Sequence, residues 1–195
     1  MNALWLYAQK LGVKIITGAE VKSIEENKDT VEVALNGISF KARKIFICAN
    51  AFTKSLIPNI ELNPGRGQVL VTKPIPNLKV KGTFFFDEGY YYFKNFENRI
   101  VFGGGRNLDF EGENTTNFGS NQKILTQLQT YLKELILPDT DFEIEHTWSG
   151  IMAFSENKLP LVEALSERQF IGVRLNGMGV ALGSKIAKDL VGLSK

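Results

Sequence analysis

The chain closes with an apolar strand that passes through a glycine-flanked turn into a helix, and this junction constrains the fold more than any other feature. Phe170–Leu175 is the apolar strand, Gly177-Met178-Gly179 forms the turn, and the helix begins at about Val180. Small residues at a helix start let backbone N–H groups approach a ligand, and the positive end of the helix dipole favours negative charge there. A tight packing turn between strand and helix is the second interpretation of the same residues.

Periodicity predicts a chain rich in strands. The Asn36-Gly37 pair is typical of a hairpin turn, and Lys44–Ala49 is apolar almost throughout, like strands that are buried on both faces. An apolar stripe over residues 120–137 predicts a helix that Pro138 ends. The remaining predicted strands are Ala19–Ile24, Thr30–Leu35, Ile38–Ala42, Gln68–Thr72, Thr83–Phe86, Tyr90–Lys94, Arg99–Phe102 and Phe142–Trp148.

The beginning of the chain has the pattern of the second half of a parallel strand–helix–strand unit. Residues 3–11 predict a helix that Gly12 ends, and Val13–Ile16 predicts a short strand. Because a parallel crossover needs a strand before its helix, we expect an N-terminal truncation or a partner that supplies the missing strands. Apolar faces near Val13–Ile16, Ile45–Ala49 and Phe170–Leu175 should then be partly uncovered, and we expect dimerisation or rearranged packing there.

Charge and composition exclude several classes of function. With 23 Lys and Arg against 21 Asp and Glu, the net charge of +2 is too small for a nucleic-acid or anionic-membrane surface. No apolar run approaches the ~20 residues of a membrane span, and the first residues lack the basic start of a signal peptide, so we expect a cytoplasmic protein. Cys48, the one cysteine, lies in an apolar run and is predicted to be a small core residue.

The sequence also argues against metal and hydrolase chemistry. With His146 as the single histidine and only one cysteine, the chain has too few ligands for a zinc site. A Ser/His/acid triad is equally unsupported, because no nucleophile elbow is present. His146 shares the apolar phase of its strand, which predicts a half-buried, hydrogen-bonded side chain.

Two segments have a structural and a functional interpretation. Gly103-Gly104-Gly105-Arg106 ends a strand without the spacing of a phosphate loop, so a bulge or turn is favoured, from which Arg106 could project into a cavity. The aromatic segments Phe84–Phe86 and Tyr90–Phe93 favour the core and lid of a sheet, with a binding wall as the alternative.

Four segments occur in an informative order. They are Gly18–Ile24, Lys44–Phe52, Pro64–Leu70, and Trp148–Ile151 taken with Gly177–Ala181. In this order they resemble the FAD-dependent oxidoreductases of the D-amino-acid oxidase, glycine oxidase and sarcosine oxidase type. The resemblance implies an α+β (mixed α/β) fold, the remnant of a doubly wound FAD-binding domain with an inserted antiparallel β-sheet substrate domain. It divides the chain into a first FAD-binding stretch at 1–62, a substrate domain at 63–142 and a second FAD-binding stretch at 143–195.

The resemblance also implies chemistry. FAD would be the cofactor, and an amine or amino acid would be oxidised at its C–N bond by hydride transfer to the flavin. The start of the last helix would lie at the pyrimidine end of the flavin. The residues that the resemblance assigns to FAD are Val21, Ala49, Asn50, Phe52, Gly150, Gly177, Met178, Gly179 and Val180.

The chain departs from the family pattern at three places. The Gly-x-Gly-x-x-Gly segment that holds the FAD pyrophosphate is missing and would lie well upstream of Met1. Asn50 and Phe52 stand where the family commonly has Gly and Trp. Met152 stands where the family's Gly-Leu-Arg-Pro has the Arg that binds the substrate carboxylate.

A substrate carboxylate prefers a planar guanidinium. Arg66, Arg106 and Arg174 are therefore the candidates, with Arg106 as our hypothesis, and Tyr91 and Met152 are further candidates for the pocket. Two other functions stay open. The chain could be a non-catalytic fragment, or a subunit whose flavin-binding half is another polypeptide. It could also be a β-rich module that binds a small ligand without redox chemistry.

Overall fold

The computed structural model describes residues 2–195, and this part of the chain has three β-sheets and four α-helices. The predicted mixed α/β fold is confirmed. The helices are α1 (Asn2–Lys10), α2 (Phe110–Glu113), α3 (Gln122–Tyr131) and α4 (Gly179–Leu193). The strands are β1 (Ser23–Glu26), β2 (Val31–Ala34), β3 (Ser39–Ala42), β4 (Ile45–Ile47), β5 (Asn63–Thr72), β6 (Thr83–Phe86), β7 (Tyr91–Phe96), β8 (Arg99–Gly104), β9 (Ile144–Phe154), β10 (Leu161–Ala164) and β11 (Gln169–Val173).

The largest sheet is antiparallel and has the strand order β6-β7-β8-β5-β9. Side chains alternate along a strand, so every second residue faces α3. That face and the apolar stripe of α3 form the main core, whose most buried members include Leu70, Phe102, Ile124 and Leu128. The predicted helix over 120–137 is confirmed, except that its last turns, Leu132–Ile136, widen into a π-helix.

Within residues 2–195, the opposite face of the same sheet lacks the helix cover that α3 gives the first face and is exposed at Tyr92 and Trp148, and we call it the open face. The pairing register places directly opposite residues on the same face. The open face therefore includes the residues that alternate with the core positions of the central and edge strands: Gly65, Gly67, Val69, Tyr92, Gly103, Trp148, Gly150 and Met152.

A second, smaller core joins this sheet to the end of the chain. β4 pairs in parallel with β11, and β11 pairs antiparallel with β10. Ile47, Ile171 and Val173 pack with Leu62 and Ala153, while α4 covers the other side of β11 through Leu190 near Gly172. The predicted exposure of Phe170–Leu175 is therefore wrong for Phe170–Val173, which are buried because α4 and the end of β9 cover both faces of β11.

The third sheet has the order β1-β2-β3 and is the predicted hairpin extended by one strand. Glu26 accepts hydrogen bonds from Ser166 and Gln169, and the guanidinium of Arg168 donates to the Lys28 carbonyl, so the sheet is tethered to the turn between β10 and β11.

Three local predictions are wrong. Val13–Ile16 is not a strand, because no strand within residues 2–195 hydrogen-bonds to it, although Val13 and Ile16 are exposed as expected. Cys48 is exposed rather than in the core, since it lies just beyond the edge strand β4. His146 is exposed, because its phase of β9 belongs to the open face rather than to the helix-covered face.

Uncovered apolar surface is concentrated in α1, which has no buried residue. Its exposed apolar residues include Leu4, Trp5 and Leu6, and Phe46 of β4 is also exposed. No helix in the described range 2–195 combines the length and the apolar character needed to cross a lipid bilayer.

The end of β8 gives a first testable prediction. Gly104 has φ +124°, and an added Cβ would overlap the carbonyl oxygen of Tyr90 and lie 2.8 Å from the Tyr91 Cα. Gly104→Ala should therefore lower the free energy of unfolding by about 1–3 kcal/mol in urea titrations. Gly183→Ala in α4 is the control: its added Cβ meets nothing within 4 Å, so it should be neutral or stabilise by up to about 1 kcal/mol. Equal loss in both variants would contradict the steric explanation.

Candidate functional site

The start of α4 is exposed and has no side-chain cap. Met178 is the N-cap residue and offers no side-chain hydrogen bond, and the amides of Gly179 and Val180 have no acceptor among residues 2–195. The first amides of a helix lack intrahelical partners, so this end presents free donors together with the positive end of a 15-residue dipole. The predicted strand-to-helix junction is thus present, and Met178 and Val180 at its start are exposed.

A hydrogen-bonded turn holds this helix start against β9. The Asn176 amide donates to the Ala153 carbonyl at 3.0 Å, and the Asn176 Oδ1 accepts from the Ser155 amide at 3.0 Å. A Cβ built on Gly177 would lie 3.6 Å from the Met152 Sδ. The helix start and the open face therefore meet at Met152.

Arg106 lies at the same end of the open face. The prediction of a turn at Gly103–Arg106 is confirmed, because β8 ends in glycines and a 3-10 turn follows at Arg106–Leu108. The guanidinium carbon of Arg106 lies 4.6 Å from the ring centroid of Phe154 and 5.2 Å from that of Phe110. Gly65 makes room for this arrangement, since a Cβ there would lie 2.9 Å from the Arg106 Nε.

Arg106 is partly buried, and one nitrogen of its guanidinium lacks an acceptor within residues 2–195. Its Nε is inaccessible to solvent and has no hydrogen-bond partner among the described residues. Burial lowers the pKa of Arg106, although the negative charge of Glu113 acts in the opposite direction. An arginine remains charged under these conditions, so the site holds a cation that lacks an anionic partner at its Nε.

A buried carboxylate positions the loop that follows Arg106. Glu113 is fully buried and accepts from the Arg66 Nε and Nη2 at 3.0 and 2.8 Å and from the Gln68 Nε2 at 3.0 Å. Asn121 donates to both Glu113 and Asp109, and Asp109 caps α2 through the Gly112 amide. Burial alone would raise the pKa of Glu113, but the hydrogen bonds from Arg66, Gln68 and Asn121 lower it overall.

The other two candidate arginines are occupied by the protein itself. Arg66 projects from the helix-covered face of β5 and forms the bidentate pair with Glu113. Arg174 is buried and donates to the carbonyl oxygens of Leu159 at 3.0 Å and Glu61 at 2.9 Å. Neither guanidinium presents its main donors to the open face.

Tyr91 does not line the open face. It is 1% exposed and packs in the main core against Phe86 and Tyr131, where burial raises its pKa to about 12. The prediction of a substrate contact is corrected here, because strand alternation turns Tyr91 inward and leaves its neighbours Tyr90 and Tyr92 on the exposed side. The aromatic segments thus combine both interpretations, core on one face and an exposed wall on the other.

The residues assigned to FAD by resemblance fall into two groups. Gly150 and Gly177–Val180 border the open face and the start of α4. Ala49, Asn50 and Phe52 lie at a 3-10 helix (Asn50–Ser55) after β4, where Asn50 has φ +47° and a buried Oδ1 without a partner among the described residues. Val21 precedes β1 in the separate three-stranded sheet. These assignments stay predictions.

Four residues of the site were not anticipated: Phe110, Glu113, Phe154 and Asn176. The loop sequence around Glu113 looks like a solvated polar segment, and only the tertiary pairing with Arg66 reveals its role. Asn176, directly before Gly177, carried a usable signal, because asparagine tolerates the left-handed φ of +50° that it adopts here. Within residues 2–195, no cluster of three or more potential metal ligands occurs.

Comparison with known proteins identifies relatives. A family model described as "FAD dependent oxidoreductase" matches residues 1–193. Glycine oxidase from Geobacillus kaustophilus has a TM-score of 0.83 and 21% identity over 99% of this chain and 52% of that chain. L-proline dehydrogenase from P. horikoshii has a TM-score of 0.81 and 19% identity over 98% of this chain and 53% of that chain. Iminodiacetate oxidase from Chelativorans sp. matches with a TM-score of 0.78 and 17% identity. The match covers 98% of this chain and 53% of that chain.

These structural matches show a shared fold, and the chain spans about half the length of the solved structures. No curated protein matches the sequence.

The network around Glu113 predicts a pH-dependent stability. A carboxyl whose pKa is lowered in the folded state stabilises the fold above its unfolded pKa and loses that contribution as the pH falls through the folded value. Unfolding free energy should therefore decrease as the pH drops below the ordinary carboxyl pKa of 4.5.

Glu113→Gln should remove this component and destabilise the protein by roughly 3–5 kcal/mol at neutral pH, because it leaves Arg66 buried without its anion. Asp189→Asn, at an exposed i,i+4 pair with Lys185, is the control and should change stability by less than about 1 kcal/mol. A pH profile of Glu113→Gln that matches the unmodified protein would contradict the assignment.

Proposed function

Because the chain belongs to the family of FAD-dependent oxidoreductases, we propose that it provides the substrate-binding face and one flavin-binding surface of an enzyme that oxidises the C–N bond of an amine or amino acid. The observation that carries the proposal is that two groups meet near Met152. The uncapped start of α4 lies on one side of Met152. On the other side, next to Gly65, lies Arg106, whose Nε has no hydrogen-bond partner among the described residues.

The residues at this end of the open face fit a flavin. A Cβ added to Gly150 would meet no atom within 4 Å, so a planar ring has space there. The free amides of Gly179 and Val180 are donors suited to the carbonyl oxygens of a pyrimidine ring. Gly150 and the segment Gly177–Val180 would hold that ring, and Asn50, whose buried Oδ1 has no partner in the described chain, would contact the nucleotide.

When bound, FAD supplies the acceptor for the hydride that leaves the carbon next to the nitrogen. The protein's contribution is positioning and electrostatics. The free amides and dipole at the start of α4 stabilise negative charge that develops in front of them. Arg106 holds the carboxylate of an amino-acid substrate, and Met152 closes the space between the two with an apolar side chain that excludes water.

Arg106 is the substrate-binding arginine in this proposal because its guanidinium alone among the three candidates is not taken up by the protein. Arg66 neutralises Glu113, and Arg174 satisfies two carbonyl oxygens. A guanidinium between two phenyl rings is also partly desolvated, which strengthens its pairing with a carboxylate.

A second candidate is a non-catalytic fragment, or a subunit that holds no flavin by itself. It is supported by the coverage of about half of the solved relatives and by the exposed apolar surface of α1. The visible absorbance of the purified chain separates the two. Bound flavin supports the first candidate, and a colourless protein that does not take up added FAD supports the second. Dimerisation through the apolar faces near Val13–Ile16 and Ile45–Ala49 stays a prediction for light scattering.

Arg106→Met tests the substrate contact. Loss of a hydrogen bond to a charged group costs about 1.5–3 kcal/mol, so binding of alanine should weaken roughly 10- to 100-fold in calorimetry. Binding of ethylamine, which lacks the carboxylate, should not change. Arg43→Met, at an exposed position between β3 and β4, is the matched control. If alanine binds equally well to both variants, Arg106 does not hold the carboxylate.

Gly150→Leu tests the flavin surface. Because the space at Gly150 is open, the added side chain should leave the unfolding midpoint close to that of the unmodified chain while filling the place of the ring. Titration with FAD, followed by flavin fluorescence, should show binding weakened about tenfold or more. Gly183→Leu, at another unobstructed glycine, should bind FAD normally. Unchanged binding by Gly150→Leu would remove Gly150 from the flavin surface.

A further inference from the structure

A row of side chains crosses all five strands of the open face beyond the site. Tyr92 of β7 lies opposite Phe85 of β6 and opposite Gly103 of β8. Val69 of β5 lies opposite Gly103 and opposite Trp148 of β9. We call Phe85, Tyr92, Gly103, Val69 and Trp148 the aromatic row.

The aromatic row is open to a ligand. Phe85, Tyr92 and Trp148 keep 68%, 36% and 47% of their surface exposed. Gly103 in the middle of the row allows the Tyr92 ring to lie across β8, because a Cβ there would be 2.9 Å from the Tyr92 Oη and 3.0 Å from its Cε2. The result is a row of partly exposed aromatic side chains, the kind of surface on which an aromatic or apolar group packs.

Between the row and Arg106 lie the glycines of β5 and β9 and the Met152 side chain, whose Cε would be 2.8 Å from a Cβ on Gly67. Along β5 and β9, the next pair on this face after Val69–Trp148 is Gly67–Gly150. The pair after that is Gly65–Met152, which lies beside Arg106. At about 3.3 Å per residue, four residues span roughly 13 Å. The open face thus presents a cation at one end, the Met152 side chain beside the open Gly150 in the middle, and aromatic rings at the other end.

Resting on the proposed function, we infer that the substrate is an elongated amino acid or N-substituted amino acid with an aromatic group far from its carboxylate. Its carboxylate binds Arg106, its reacting C–N bond lies beside the Met152 side chain between the two ends, and its aromatic group packs on Tyr92 and Trp148. Small substrates such as glycine or alanine reach Arg106 alone and leave the aromatic row empty.

A series of ω-phenyl carboxylates of increasing chain length tests the spacing by binding alone, without flavin and without turnover. The chain has two tryptophans, Trp5 and Trp148. In a Trp5→Phe background, fluorescence therefore reports Trp148 alone. 6-Phenylhexanoate should change this fluorescence and bind about tenfold or more tighter than phenylacetate, which is too short, and hexanoate, which lacks the ring. Equal affinity for phenylacetate, or no binding of 6-phenylhexanoate at millimolar concentration, overturns the inference.

Two variants locate the bound groups. Tyr92→Leu should remove the advantage of 6-phenylhexanoate over hexanoate, and Arg106→Met should weaken both acids. His146→Ser, one row further along the same face opposite Val71, is the control and should change neither. If His146→Ser weakens binding as much as Tyr92→Leu, the ligand does not occupy the aromatic row. Because these are binding measurements, a chain that binds the elongated acid but no FAD refutes the proposed function and leaves the ligand inference standing.

Discussion

The buried carboxylate of Glu113 is the interaction on which the arrangement of the site depends. A full negative charge inside a protein is tolerated only when donors surround it, and here Arg66, Gln68 and Asn121 supply them. Arg66 and Gln68 belong to β5, and Asn121 is the residue that caps α3. Asn121 also donates a hydrogen bond to Asp109 at the start of α2. One charge therefore ties the sheet to both helices and places the loop that begins at Arg106.

The same network explains why the arginines have different roles. Arg66 and Arg174 are each satisfied by fixed acceptors of the chain, which leaves them structural. Arg106 follows the glycines that end β8, and its side chain lies on the face of the sheet opposite to Arg66 and Gln68. The rings of Phe110 and Phe154 lie next to its guanidinium. Its unpaired, buried Nε is tolerable because an aromatic face attracts a cation, and within the described chain the partly buried residue keeps its other guanidinium nitrogens free for an anion.

Local patterns predicted the features that local physics decides. The hairpin at Asn36-Gly37, the helix ended by Pro138 and the glycine-flanked start of α4 all follow from backbone preferences of nearby residues. Alternation likewise predicted most strands, but it does not say which face a neighbour covers, so Tyr91, His146 and Cys48 were placed wrongly. Glu113 was missed for a related reason: its burial depends on Arg66, 47 residues away in the chain.

Part of the floor of the open face between Arg106 and the aromatic row is main chain that no described side chain covers, at Gly150. Backbone geometry is conserved when surrounding residues mutate, because hydrogen bonds of the sheet fix it. Evolution can therefore exchange the side chains at either end of this floor, and so change which molecules are accepted, without rebuilding the scaffold that presents them to the start of α4. Such a division between a main-chain platform and replaceable borders offers proteins of one architecture a route to differ in selectivity.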